Sequence, residues 1–156
     1  MSETKKLAII ATKGSLDWCY PPFILASTAA ALGYEAGVFF TFYGLQLLKK
    51  NMDVQVSSLG NPGMPMPVPV PVLLQALPGM QKMMTVMMKK KMKAKGVATL
   101  EDLRDLCLEA EVRLIACQMT VDLFEMDTSE FIDGLEYAGA AAFFEFAGES
   151  DICLFI

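Results

Sequence analysis

Val112-Arg113-Leu114-Ile115-Ala116-Cys117-Gln118-Met119-Thr120 reads as a short buried strand that ends on a cysteine and turns directly into a helix. A nearly unbroken apolar run of this length suits a strand covered on both faces. The thiol then lies at the carboxyl end of a strand, where the crevice of an open α/β sheet forms, and at the positive end of a helix. Both placements favour a reactive thiolate over an inert packing residue.

Working outward, the same rhythm recurs. Residues 7–12 form an apolar run of strand length, followed by Lys13-Gly14-Ser15, a turn with an N-cap candidate. Residues 16–32 read as an alanine-rich helix closing on Gly33. Pro21 and Pro22 make its first turns irregular or move its start to Pro21. A strand over 35–42 and a short helix over 43–50 come next. A helix over 99–110 carries a capping box at Thr99 and Asp102, with Leu100, Leu103, Cys107 and Ala110 on its inner face. Past the strand at 112–116, helical stretches at 120–126, 128–134 and 139–147 precede a last strand at 151–156. Apolar strands separated by helices predict an α/β fold with a parallel sheet covered on both faces.

One segment breaks the rhythm. Residues 51–95 are too long for an ordinary connection and read as an insertion within a single domain spanning 1–156. From Gly60 to Pro71 proline alternates with apolar residues, which predicts an extended, polyproline-like stretch. Beyond it, Met80, Met83, Met84, Met87 and Met88 fall on a single helical face, with Lys82, Lys89, Lys90 and Lys93 off that stripe. That face can pack on the domain or in an oligomer interface, adapt to a protein partner, or adsorb to a membrane surface through residues 80–95.

Composition bounds the function. The chain has 156 residues, 54% of them apolar, and a mean hydropathy of +0.41, so a membrane span must be considered. The uncharged window 61–81 is long enough, but it holds six prolines, each costing roughly 3 kcal/mol in a helix interior. A transmembrane helix is rejected. The first residues run straight into a strand with no signal-peptide core, which predicts a cytoplasmic protein. Net charge is −5 but uneven: no acid lies between Asp53 and Glu101, whereas 14 acids follow from Glu101 onward. An acidic body with a basic arm points to contact through that arm. It does not point to nucleic acid, because the arm carries methionine where stacking aromatics would be needed.

Histidine is absent. Ser-His-Asp hydrolysis, Cys-His proteolysis and every histidine-containing zinc site go with it. Neither the cysteine spacing nor the acidic residues match a metal site, so no metal or cofactor is expected. Cys117 is left with chemistry a thiolate can do alone: sulfur transfer, thiol–disulfide exchange or reaction with peroxide. Cys107 and Cys153 read as buried small hydrophobes. Cys19 follows the first strand-to-helix turn and is expected near the same sheet edge as Cys117, as a resolving or second sulfur-carrying thiol. Asp122, Glu125, Asp127, Glu130 and Asp133 read as a solvated acidic face or a docking patch for a basic partner.

Several stretches carry a resemblance. Residues 11–17 (ATKGSLD), 20–26 (YPPFILA), 38–44 (VFFTFYG), 115–120 (IACQMT), 140–143 (AAAF) and 154–156 (LFI) are similar to the DsrE/DsrF/DsrH-like family over nearly the whole chain. The proline–methionine insertion resembles a subgroup sometimes labelled peroxiredoxin-like, although the Pro-x-x-x-Thr-x-x-Cys peroxidase motif is absent. The resemblance implies a three-layer α/β/α sandwich around a parallel sheet of five strands. It also implies homo-oligomers and a role in cytoplasmic sulfur relay, with Cys117 exchanging persulfide sulfur with a small sulfur-carrier protein.

Such a carrier needs a thiolate at neutral pH, whereas an unassisted thiol has a pKa of about 8.5. With no imidazole, activation must come from backbone N–H groups after Cys117 and the helix dipole. Lys13 can add positive charge, or be a solvated loop lysine. Thr41, Gln118 and Thr120 can donate hydrogen bonds, and Gly14-Ser15 can shape the turn or cradle a phosphate. Two rival functions remain open: an interaction module working through the methionine-rich arm, and a small-molecule or nucleotide binder at the sheet edge.

Overall fold

A computed structural model describes residues 4–57 and 72–156. The stretch 60–71, expected to be extended, lies outside the described residues.

The chain begins with β1 (Lys6–Ala11), α1 (Leu16–Ala31) and β2 (Glu35–Phe40), followed by a 3₁₀ segment over Phe42–Leu48. Then come α2 (Val72–Gln75), α3 (Met80–Ala94), α4 (Leu100–Glu109), β3 (Arg113–Cys117) and α5 (Gln118–Leu123). A 3₁₀ turn at Thr128–Glu130 leads to β4 (Glu136–Ala138), α6 (Ala140–Ala147) and β5 (Ile152–Phe155). All strand pairs are parallel, in the order β4-β3-β2-β1-β5.

Strand periodicity sorts the core into two faces. Leu7, Ile9, Ala11, Val38, Phe40, Leu114 and Ala116 join the large cluster under α1 and α4. Their neighbours Ala8, Phe39, Ile115 and Cys117 face the other way, into a smaller cluster closed by Phe143 and Phe146 of α6. Gly37 lies on that second face, where an added Cβ would sit 2.7 Å from the Phe146 ring. Helices therefore cover both sides of a five-stranded parallel sheet, as expected.

Local chemistry accounts for the helix ends. Thr99 and Asp102 form the reciprocal capping box. Gly33 takes φ +84° after α1, and the pair Tyr34 N–H to Ala29 O and Gly33 N–H to Ala30 O is a Schellman closure. α1 starts at Leu16 and carries Pro21 and Pro22 within it.

Four details differ from the sequence reading. β4 was not expected as a strand: three residues with an exposed, polar start carry too little alternation to register. Helix over 128–134 reduces to the single turn at Thr128–Glu130. Ala110 is exposed, and the inner face of α4 instead buries Arg104, which donates to the carbonyls of Leu47 (3.1 Å) and Lys49 (2.7 Å). On α3 the methionine stripe splits. Met80, Met84, Met88 and Met92 are half-buried beside the buried Thr85, while Met83 and Met87 stay exposed, because α3 meets the body along a narrow i, i+4 line.

Among the described residues no helix is long and apolar enough to cross a membrane.

Candidate thiolate site

Cys117 is the last residue of β3 and the N-cap of α5. Its neighbours come from the ends of two adjacent strands. Thr41 follows β2, which pairs with β3, and Thr120 lies in the first turn of α5. Their hydroxyls are 3.2 Å apart, and the Phe42 N–H donates to Thr120 Oγ1 at 3.2 Å. With an N–H supplied to its oxygen, Thr120 is free to point its own hydroxyl proton at the sulfur. Phe42 holds this position at φ +50°, a left-handed conformation that is costly for a bulky side chain.

Two influences compete at the thiol. Burial, the larger single effect, pushes its pKa up. Hydrogen bonds from the Thr120 hydroxyl and N–H, the Thr41 hydroxyl and the Met119 N–H together outweigh it and hold the thiol below its ordinary value. These donors are neutral. The lowering comes from hydrogen bonding. Cys117 is only 4% exposed, so its sulfur is nearly closed to solvent in this conformation.

The expected site residues other than Cys19 separate into three groups. Cys117, Thr41 and Thr120 come together. Lys13, Gly14 and Ser15 line a different concavity of about 580 Å³, shared with Trp18 and Tyr43. There the Lys13 ammonium stands 3.1 Å from the centre of the Trp18 ring. Gln118 turns outward and donates to Asp122 at 2.8 Å.

Cys19 and Cys117 occupy opposite faces of the sheet. Both lie toward the carboxyl ends of the strands, but α1 packs on the face opposite the one Cys117 points to, so the two thiols do not come together. Cys19 is fully buried, donates to the Leu16 carbonyl, and is pushed by burial to a pKa of about 12. Cys107 is likewise buried, with a pKa pushed by burial to about 11. Cys153, expected inside, is exposed. It sits beside Ala8 on edge strand β5, past the cover of the short α6.

The Met119 and Thr120 N–H groups are the backbone donors expected after Cys117. One contributor was missed. Phe42 orients Thr120 through a positive φ that its residue type disfavours.

The model of the DsrE/DsrF/DrsH-like family matches residues 3–155. The chain belongs to this family. It is 77% identical to the protein named sulfur carrier protein DsrE2 of Allochromatium vinosum, over 99% of each chain. It is 33% identical to the uncharacterized protein YrkE of Bacillus subtilis, over 99% of this chain and 98% of that one. The crystal structure of the ychN protein from E. coli superposes with a TM-score of 0.62 at 11% identity, over 98% of this chain and 100% of that one. That likeness bears on the fold alone: a five-stranded parallel sheet between helical layers.

Proposed function

We propose that this protein works in a sulfur relay, with Cys117 as the atom that accepts and releases sulfane sulfur. The lowered Cys117 thiol, held by Thr120, Thr41 and Met119 without a histidine, is the observation that carries the proposal. The name of the A. vinosum relative, sulfur carrier protein, supports it.

The chemistry is an exchange between thiols with no net oxidation. The Cys117 thiolate attacks the outer sulfur of a donor persulfide, R–S–SH. The new Sγ–S bond forms as the donor S–S bond breaks, and R–S⁻ leaves and takes up a proton from solvent. Cys117 then holds Sγ–S–H. Delivery is the same step reversed in role: an acceptor thiolate attacks the outer sulfur, and Cys117 departs as a thiolate stabilised by the same donors. A leaving thiol of low pKa departs faster, so one set of hydrogen bonds serves both loading and unloading.

The proposed donor or acceptor is a small sulfur-carrier protein, and the proposed setting is the cytoplasm, where thiols stay reduced. A homo-oligomer fits the thin cover on the α6 side of the sheet, where Phe144 and Phe155 are about 70% exposed (69% and 73%). Cys19 is left out of the reaction because its buried thiol stays protonated.

Intact mass after incubation of the reduced protein with polysulfide tests this. Wild type and Cys153→Ser gain sulfur atoms, and Cys117→Ser gains none. Sulfur retained in Cys117→Ser but lost in Cys153→Ser would overturn the assignment.

A further inference from the structure

On the opposite side of the sheet from Cys117, between α1, α3 and α4, lies a cavity of about 300 Å³. We propose that it binds a free medium-chain alkyl carboxylate. Its walls are aliphatic and sulfur side chains: Leu16, Met52, Val54, Met92, Val97 and Leu100. Among the described residues Tyr20 is the only aromatic in the lining, and its hydroxyl donates to the Ala98 carbonyl at 3.2 Å. Such walls suit a flexible alkyl chain better than a flat ring.

α3 explains why the space exists. Its N-terminal half is moored to the body by two hydrogen bonds. Gln81 Nε2 donates to Val56 O at 2.7 Å and Val56 N–H donates to Thr85 Oγ1 at 3.0 Å, while within the helix Thr85 Oγ1 donates to Gln81 O at 2.9 Å. Thr85 is the one buried side chain of the helix. From Lys89 onward, α3 bridges the cavity instead of packing down on α4.

The mouth selects charge. Lys89 and Lys93 stand one turn apart on α3 and both line the cavity, facing a single carboxylate, Glu101. Among the described residues neither lysine is in an ion pair. An apolar chamber with a net cationic rim fits an alkyl chain that ends in an anion. At roughly 30 Å³ per water-sized group, the chamber holds about ten such groups.

Calorimetry of the full chain with hexanoate, octanoate and decanoate, all below their micelle concentrations, tests the proposal. Affinity rises roughly fourfold per added methylene, as for apolar burial, and levels off beyond about ten carbons. The Lys89→Ala/Lys93→Ala variant weakens decanoate several-fold. Val97→Trp, at an exposed rim position, abolishes binding while the circular dichroism spectrum is kept. The absence of saturable decanoate binding would overturn the proposal, as would equal binding by wild type and both variants. It would also fail if the lysine variant lost co-sedimentation with anionic phospholipid vesicles while free decanoate bound neither protein, which would assign the lysines to a membrane surface.

Discussion

Thr120 is the residue on which the thiol depends most. Its hydroxyl and its N–H both reach Cys117, and its oxygen also receives the Phe42 N–H. Replacing Thr120 with valine keeps the shape and removes the hydroxyl. The pKa of Cys117 rises, and alkylation at neutral pH slows about tenfold for each unit of the shift. Iodoacetamide rates measured across pH check this, with the inflection moving to higher pH in Thr120→Val. An unchanged inflection would mean that backbone N–H groups alone hold the thiolate. Thr41→Val moves it in the same direction by less.

Arg104 is the second residue that sets a stability term. The residue is 5% exposed, and its guanidinium donates to two carbonyls at the end of the 3₁₀ segment and leaves Nε without a partner among the described residues. Burial lowers its pKa. Arg104→Met strands the Leu47 and Lys49 carbonyls and costs about 1–3 kcal/mol, read as a lower urea midpoint. Lysine does not rescue it, because a single ammonium cannot reproduce the planar fork.

At the scale of elements, the site is positioned by close packing of the 3₁₀ segment against the end of β1. Gly44 allows that approach, since a Cβ there would collide with the Ala11 carbonyl. Gly44→Ala must push the segment off β1, costing about 1–3 kcal/mol as overpacking does. Because Thr41 and Phe42 begin that segment, reactivity of Cys117 falls together with Tm. A drop in Tm with unchanged alkylation kinetics would separate the segment from the site. The Thr99 and Asp102 box was legible in the sequence because capping is a local rule. β4 was not, because a three-residue edge strand is created by its pairing with β3.

For the whole molecule, buried thiols set the response to alkali. Cys19 and Cys107 keep their protons in the fold to about pH 12 and 11, whereas thiols of the unfolded chain ionise from about pH 8.5. Their contributions are complete below that pH and are lost as pH rises, by about 1.4 kcal/mol per unit for each thiol. Cys117 has the opposite sign: its contribution is full above the unfolded pKa and is lost as pH falls through its lower folded value. Urea midpoints between pH 8 and 10 therefore fall, and Cys107→Ala roughly halves the slope. The α6 side of the sheet belongs to this scale too. One eight-residue helix covers that face, leaving Phe144 and Phe155 exposed. If the proposed homo-oligomer forms through this face, a Phe144→Asp/Phe155→Asp variant sediments as a smaller species than wild type, and equal sedimentation of the two would overturn that proposal.

The sequence alone determined the α/β class, the strand ending on Cys117 and the capped α4, since each follows from periodicity or from chemistry within a few residues. Only the tertiary structure decided the company of each thiol. The packing of α1 and the alternation along β3 set Cys19 and Cys117 on opposite faces, the length of α6 left Cys153 in solvent, and Phe42, at a positive φ, brought its N–H onto Thr120 beside Cys117. Reactivity depends on burial and on hydrogen bonds between residues distant in the chain. Those exist only once the layers have packed.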